Sequence, residues 1–484
     1  MTLRKEFTMK EKIFKILLLI FAVMASIYPV LFGIYKIKGL LIVISLILIL
    51  MSLAKYIDKY KSGYIIAIVL LGIITRVGVV LFCNSHIVQI SDFGKALNAS
   101  FSLDFSEDYY RYFSHWILYP TIVHGIYYLF GSHQLVALLT NAVINILSAI
   151  MIYKTGTLIF DNKKYSFLAS LIYLFWPGSI LYTVIFTQEH LNALIIITIV
   201  YLFLKINNPK TNDSYFIKYI YPILIGILLA VTCFLKNFSP AFLISFIILL
   251  FLWLIKNKFD KILFFKKIVC LSLIILSFIF FKQLLFVCVD NLVGKSVTRN
   301  ITPCYLNVGL RDNGVYNVEN YAYYYNLVKE NNFDFEKANK EAMSGLFSYI
   351  DSKGLNYYLV LLKSKGNIIL NNDEAKISWF SLSIKDADEY SLLDNLEDIK
   401  FTNNLYYSII MLLVGISLLE TIKFKNLKTF FLQLLYFGAC LMLLLVEAQN
   451  RYTYSMQVIL CILSVVGIKI LIDFLKTKFR GDYK

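Results

Sequence analysis

Long apolar runs dominate the chain and return at intervals, separated by short polar turns. A run of about twenty apolar residues coils into a helix that matches the hydrocarbon core of a bilayer. The pattern predicts about 12 transmembrane helices on that rule. They fall at Phe14–Tyr35, Leu40–Ala54, Tyr64–Phe82, Leu135–Tyr153, Tyr165–Phe186, Leu191–Leu204, Ile217–Leu235, Ala241–Ile255, Ile268–Val289, Leu405–Ile422, Thr429–Val446 and Tyr454–Phe474. Two segments break the rhythm. Cys83–Gln134 mixes aromatic and polar residues, with helical spacing over Ser91–Ala99 and Glu107–Gly131 and a break expected at Tyr119-Pro120. Such mixtures lie along a membrane interface rather than across it. Asp290–Thr402 is polar, with alternating patches such as Tyr305–Leu310 that suggest strands and stretches Tyr321–Ile350 and Tyr357–Leu362 that suggest helices. The expected fold class is a polytopic all-α membrane protein, with juxtamembrane helices in the first outer loop (83–134) and a small mixed α/β extracytoplasmic domain. The expected divisions are a transmembrane core over 1–289, with two extra helices at its start, an outer domain over 290–402 and C-terminal transmembrane helices over 403–484.

Composition sharpens this picture. Of 484 residues, 59% are hydrophobic and 16% charged, which excludes a soluble enzyme, a fibrous protein and a disordered chain. A net charge of +16 would suit nucleic acid, but its distribution argues for a membrane instead. More than half of the 47 basic residues fall in the segments that share one side with the N-terminus, whereas Asp290–Thr402 holds 12 basic and 16 acidic residues. This is a positive-inside pattern. It puts both termini in the cytoplasm of a multi-pass cell-membrane protein, makes anionic lipid a partner and leaves no role for nucleic acid. Phe14–Tyr35 is too long for a signal-peptide core and reads as an uncleaved anchor. The seven cysteines show no metal-binding spacing. Cys288 and Cys304 flank the start of the outer block and leave one bridge open.

The inner loops carry no glycine-rich phosphate loop and no nucleotide-binding turn. Candidate chemistry therefore lies on the extracytoplasmic side. Asp92, just after a span, suits a general base or a metal ligand, while spacing alone favours a helix N-cap made by Ser91 and Asp92. Glu189, beside His190 in a polar turn between spans, is either an interfacial cap or a residue facing a cavity. Lys236 and Arg451 are outer cations against the charge rule, placed for a lipid phosphate or for an ion pair with Glu447 or Glu189. Arg111 and His115 are further phosphate candidates, with snorkelling an equal account of Arg111. Arg76 sits inside a span and is expected to pair internally. Asp386-Ala-Asp388 has the form of a metal-binding pair, but in an acidic stretch it reads as a solvated face. Two acids and several cations at one end of a bundle suit a lipid-phosphate donor and a nucleophilic hydroxyl; they also suit a transporter with a charged pathway.

At these residues the chain resembles the GT-C glycosyltransferases, particularly the protein O-mannosyltransferase and aminoarabinose-transferase group (family 39-like). The resemblance runs from about Tyr64 onward. It is carried by Ser91-Asp92-Phe93, His115-Trp116-Ile117-Leu118-Tyr119-Pro120, Phe130-Gly131-Ser132, Phe175-Trp176-Pro177-Gly178-Ser179, Thr187-Gln188-Glu189, Lys236-Asn237, Asn307-Val308-Gly309-Leu310, Gly314-Val315-Tyr316-Asn317 and Arg451-Tyr452. It implies a polyprenyl-phosphate-linked sugar as donor, a glycan, glycolipid or protein of the cell envelope as acceptor, and an inverting displacement. It implies Asp92 as base and Glu189 as a second catalytic acid that positions the sugar or acceptor. Arg111, His115, Lys236 and Arg451 would hold the donor phosphate, and His190 and Tyr452 would contact substrate. No cofactor and no metal ligands are expected, with a divalent ion left open. Two departures stand out: Phe93 follows Asp92 where the O-mannosyltransferases usually show an Asp-Glu pair, and Lys236 stands where relatives often show Arg. A polymerase or ligase using a diphosphate-linked donor and a lipid or glycan transporter are the alternatives, the latter without the internal repeats that transporters usually show.

Overall fold

The computed structural model describes residues 63–208, 216–256, 261–385, 395–422 and 426–481, with Ile49 and Ser52. Apart from those two positions, the expected spans Phe14–Tyr35 and Leu40–Ala54 lie outside the described residues, as does Asp386-Ala-Asp388. Helix α1 (Tyr64–His86) holds a π-helical turn at Ile73–Val77. Three shorter helices follow, α2 (Ser91–Ser102), α3 (Asp108–Tyr112) and α4 (Leu118–Phe130). The break expected at Tyr119-Pro120 falls earlier, at the 3₁₀ turn Ser114–Trp116. Pro120 stands in the first turn of α4, where a missing N–H costs no helical bond.

Helix α5 (Gln134–Ile159) is followed by α6 (Lys163–Leu174) and α7 (Pro177–Tyr182). This pair replaces the single span expected over Tyr165–Phe186. Pro177 forces the split, because the residue before a proline is pushed out of the helical region, and Trp176 is extended at φ −72°, ψ 111°. Then come α8 (Glu189–Ile206), α9 (Tyr221–Cys233), α10 (Ser239–Lys256) and α11 (Lys261–Val293). A polar helical insert holds α12 (Thr302–Gly309), α13 (Val318–Glu330), α14 (Phe335–Asp351), α15 (Leu355–Leu370) and α16 (Ala375–Leu382). The described chain closes with α17 (Leu396–Ile422), α18 (Leu427–Leu445), the 3₁₀ segment Asn450–Met456 and α19 (Gln457–Gly481).

Seven helices among the described residues are long and apolar enough to cross a membrane: α1, α5, α8, α11, α17, α18 and α19 with its 3₁₀ lead. Helices α9 and α10 are apolar but shorter. The chain is a multi-pass membrane protein. The ten expected spans on described residues return as these seven, the two shorter helices and the broken pair α6–α7, and the other two expected spans lie outside the described residues. Small residues let the bundle close. A Cβ on Gly226 of α9 would lie 1.9 Å from Ser277 Oγ of α11, and one on Gly467 of α19 would lie 2.0 Å from the Leu413 carbonyl of α17. Close helix approach through small residues is how packing holds membrane helices together.

The insert corrects the mixed α/β expectation, since among the described residues it holds helices and no strand beyond the isolated bridge Ile87–Ile384. Tyr305–Leu310 alternates in hydropathy, yet Pro303 starts a helix there and buries Cys304, Asn307 and Val308, spaced at i, i+3 and i+4. Six residues are too few for period alone to separate strand from helix. The expected helix Tyr321–Ile350 is also two helices. Asn332 and Phe333 take positive φ between them, and the Asp334 side chain caps the second through Glu336 N and Lys337 N. Cys288 is exposed, Cys304 is buried and both are free, so they do not pair.

Candidate active site

The turn between α7 and α8 is fixed by side chains from two other segments of the chain. Asn141 of α5 donates to the carbonyls of Thr183 (3.0 Å) and Ile185 (2.9 Å). Gln89, between α1 and α2, donates to Val184 O and accepts from Phe186 N, both at 2.8 Å. Gln188 then reaches Leu235 O at 2.9 Å, tying this turn to the one that carries Lys236. Backbone inside a membrane protein must find such partners. The result is a rigid platform with Glu189 at its edge.

Glu189 is buried and takes two bonds, from Lys236 Nζ at 3.1 Å and from the Tyr182 hydroxyl at 2.9 Å. The Lys236 ammonium lies 3.1 Å from the centre of the Tyr452 ring, a cation on a π face. Burial pulls the Lys236 ammonium down to about 8, with Glu189 working against that shift and Arg451 adding to it. Asp92 stands in the first turn of α2, but Ile90 is the residue that precedes the helix, so Ser91 and Asp92 are already inside it. The Asp92 carboxylate instead accepts from the Tyr109 hydroxyl at 2.8 Å and faces Arg451 Nη2 at 3.8 Å. It is about one-third exposed, at 35%. The Arg451 guanidinium is stacked among Phe93 (5.0 Å) and Trp379 (5.1 Å), and its buried Nε has no hydrogen-bond partner. Four segments far apart in the chain thus bring two acids and two cations around Tyr452.

The other candidates divide. His115 joins the edge of this group: its Nε2 is 3.4 Å from the Tyr305 hydroxyl, and Phe113 and Trp116 pack against its ring. Burial and the nearby Lys236 and Arg451 charges push the imidazole down to about 3, so it is neutral and acts as a hydrogen-bonding group without charge. Arg111 is engaged with the insert. It stacks on Phe333 at 3.6 Å and bonds Ser296 O and Asp108. His190 is fully buried with both ring nitrogens engaged, Nδ1 by Tyr454 (2.8 Å) and Asn145 (3.2 Å), Nε2 by the Tyr182 carbonyl (3.2 Å). It braces Tyr182 rather than opening to a ligand. Arg76 pairs internally with Tyr173 O at 2.7 Å and Thr183 Oγ1 at 3.2 Å. Among the described residues no three His, Cys, Asp or Glu side chains gather to hold a metal ion.

Other residues complete the group. Glu447, named in the sequence only as an ion partner for Lys236 or Arg451, is buried and accepts from Tyr321, Gln449 and, at 3.5 Å, Tyr452, making it a third acid beside the ring. Tyr182, Tyr109 and Trp379 had no spacing to mark them. Neither had the buried pair Asp373–Lys376, which also receives Trp176 Nε1 at 2.8 Å and Asn403 at 3.2 Å. Lys365 donates to Gly309 O (2.7 Å) and Val446 O (2.6 Å), locking the insert to the end of α18, with burial pulling its ammonium down to about 8.

Residues 114–285, a little over a third of the chain, match the family model of the dolichyl-phosphate-mannose-protein mannosyltransferases. That segment takes in His115, Glu189 and Lys236 and leaves out Asp92 and Arg451. Comparison with curated protein sequences gives no significant match. Among solved structures, the oligosaccharyltransferase of Archaeoglobus fulgidus is similar in fold. Its complex with zinc and sulfate aligns at 14% identity and TM-score 0.50, over 85% of this chain and 49% of that one. Its apo form aligns at 12% identity and TM-score 0.50, over 87% and 52%. This chain spans about half the length of those proteins, and at such identity the likeness is one of fold. The resemblance read from the motifs is borne out as a likeness to the GT-C glycosyltransferases, through the family model over residues 114–285 and through the fold.

Proposed function

We propose that this GT-C glycosyltransferase moves a sugar from a polyprenyl-phosphate donor to a hydroxyl of a cell-envelope glycan, glycolipid or protein. The observation that carries the reading is the pairing of Asp92 with Arg451 and of Glu189 with Lys236 around Tyr452, with Arg451 Nε left unpartnered. A buried donor without an acceptor is rare in a finished protein interior. Here it suits an anionic oxygen supplied by substrate.

In this reading the acceptor hydroxyl approaches Asp92, the more exposed of the two paired acids. Its oxygen forms a bond to the anomeric carbon as the bond from that carbon to the phosphate oxygen breaks, with inversion. The hydroxyl proton passes to the Asp92 carboxylate, and polyprenyl phosphate departs with the electron pair. Lys236 and Arg451 oppose the negative charge that grows on the phosphate, where preorganised cations lower a barrier most. His115 adds a neutral hydrogen bond. Glu189 holds Lys236 in place and borders the sugar. The lysine-rich turns at the other end of the bundle support both termini being cytoplasmic and the site being extracytoplasmic.

The test is release of polyprenyl phosphate from a panel of labelled polyprenyl-phosphate sugars, using reconstituted protein and a cell-envelope acceptor fraction. Transfer by the wild type, lost in Asp92→Asn, is the expected result, and proton NMR of the product should give the inverted anomer. Silence across the panel with folded protein would overturn the monophosphate donor and turn the test to diphosphate-linked donors and to flux.

A further inference from the structure

At the other end of the bundle from these residues lies a cavity of about 360 Å³ between α8, α10, α11 and α18. Chain direction fixes its place. Helix α8 leaves the site at Glu189 and reaches the cavity at its last residues, and α10 does the same from the Lys236 turn. Helix α18 starts at the cavity and ends beside Glu447. With a rise of about 1.5 Å per residue, α8 alone separates the two places by roughly 25 Å.

Its walls are apolar and its rim is not. Phe203 stacks on Phe246 at 4.3 Å and meets Phe431 at 4.6 Å along one side. At the rim Lys267 donates to Asn207 Oδ1 at 2.5 Å and lies 5.2 Å from the Trp253 ring, and Lys428 donates to Leu158 O at 2.6 Å. Lys205, Lys261 and Lys266 stand on the same helix ends. An apolar slot with a cationic, indole-bearing mouth is amphipathic in one direction only. Small-ligand cavities commonly hold about 300–1,000 Å³, so this one admits a length of hydrocarbon chain with its head outside.

We propose that the cavity binds an anionic glycerophospholipid, one acyl chain lying along the wall that Phe203, Phe246 and Phe431 form together and the headgroup phosphate between Lys267 and Lys428. Charge complementarity selects the anionic headgroup, because two ammonium groups at a bilayer surface gain nothing from a neutral one and favour an anion. The site is distinct from the donor site and sits in the opposite leaflet.

Trp253 supplies the readout. The full chain is placed in nanodiscs, and its fluorescence is titrated with phosphatidylglycerol or phosphatidylcholine brominated on the acyl chain, Trp253→Phe giving the background. The expected result is Trp253 quenching at about thirtyfold lower phosphatidylglycerol than phosphatidylcholine, the size two lysines would give. Lys267→Gln with Lys428→Gln should remove the preference with the slot intact. Leu271→Phe should fill the slot and remove the quenching with both lysines in place. Equal quenching by the two lipids in the wild type overturns the proposal whatever the variants do. So does quenching that survives in both variants, and so does displacement of phosphatidylglycerol by an equal amount of polyprenyl phosphate.

Discussion

Asp373 with Lys376 and Asp92 with Arg451 are two acid–cation pairs tied to the same 3₁₀ segment and the start of α19, and they are completed to different degrees. The Asp373 carboxylate receives Lys376, Trp176, Asn403 and Gln457, and both partners of the pair are shut away from solvent. Asp92 is one-third exposed, its cation stands 3.8 Å away and Arg451 Nε has no partner. A buried charge with all its bonds made is part of the scaffold. A charge that is partly exposed, loosely paired and left with a free donor can still receive something that arrives. Composition does not separate these clusters; the number of satisfied donors does.

The contrast breaks most visibly through Asp92. Asp92→Asn should lower turnover by about 10²–10⁴-fold, the usual worth of a positioned base, with the melting temperature unchanged. Retained turnover would remove Asp92 from the chemistry. Asp373→Ala should do the opposite, costing about 3–5 kcal/mol of stability by stranding the buried Lys376 ammonium. Thermal unfolding in detergent reads it, and a wild-type melting curve with lost activity would move Asp373 to the active side of the comparison. Arg451→Lys keeps the charge but loses the planar fork, and should weaken donor binding by about 1.5–3 kcal/mol, seen in KM more than in kcat.

Two smaller effects sharpen the picture. With its ammonium pulled down to about 8, Lys236 is charged below that pH and neutral above it. Donor KM should therefore rise as pH climbs from 7 to 9.5, and Lys236→Arg should flatten that rise. His115, neutral well above about 3, should add no step between pH 5 and 8. Arg111→Ala should cost about 1 kcal/mol through its lost stacking on Phe333 and leave donor KM alone; a raised KM would return Arg111 to the phosphate.

The sequence carried the apolar spans plainly, because a bilayer demands long uninterrupted runs whatever surrounds them. It also marked Asp92, Glu189, Lys236 and Arg451, each an ionisable residue close to an apolar run. It offered Glu189 as an ion partner for these cations, and Glu189 does hold Lys236; it did not offer Asp92 for Arg451, which meet only after helices from both ends of the chain have packed. Nor did it show that Arg111 stacks on Phe333, which lies in a different segment. The strand expected at Tyr305–Leu310 failed on local grounds, where Pro303 sets a helix that a six-residue alternation could not disclose. The break at Pro177 was written in the chain, but the apolar run around it hid the split.

The distance in sequence between Asp92 and Arg451 also bears on biosynthesis. A ribosome releases the two carboxylates early, when α2 and α8 leave the tunnel, and must translate some 260 further codons after Glu189 before the guanidinium exists. On the proposed function, a nascent chain halted anywhere in that interval would hold the acids without a complete grip on a phosphate. The membrane would thereby be spared a half-made transferase that hydrolyses lipid-linked sugars, competence arriving as the helix after Arg451 docks against α17.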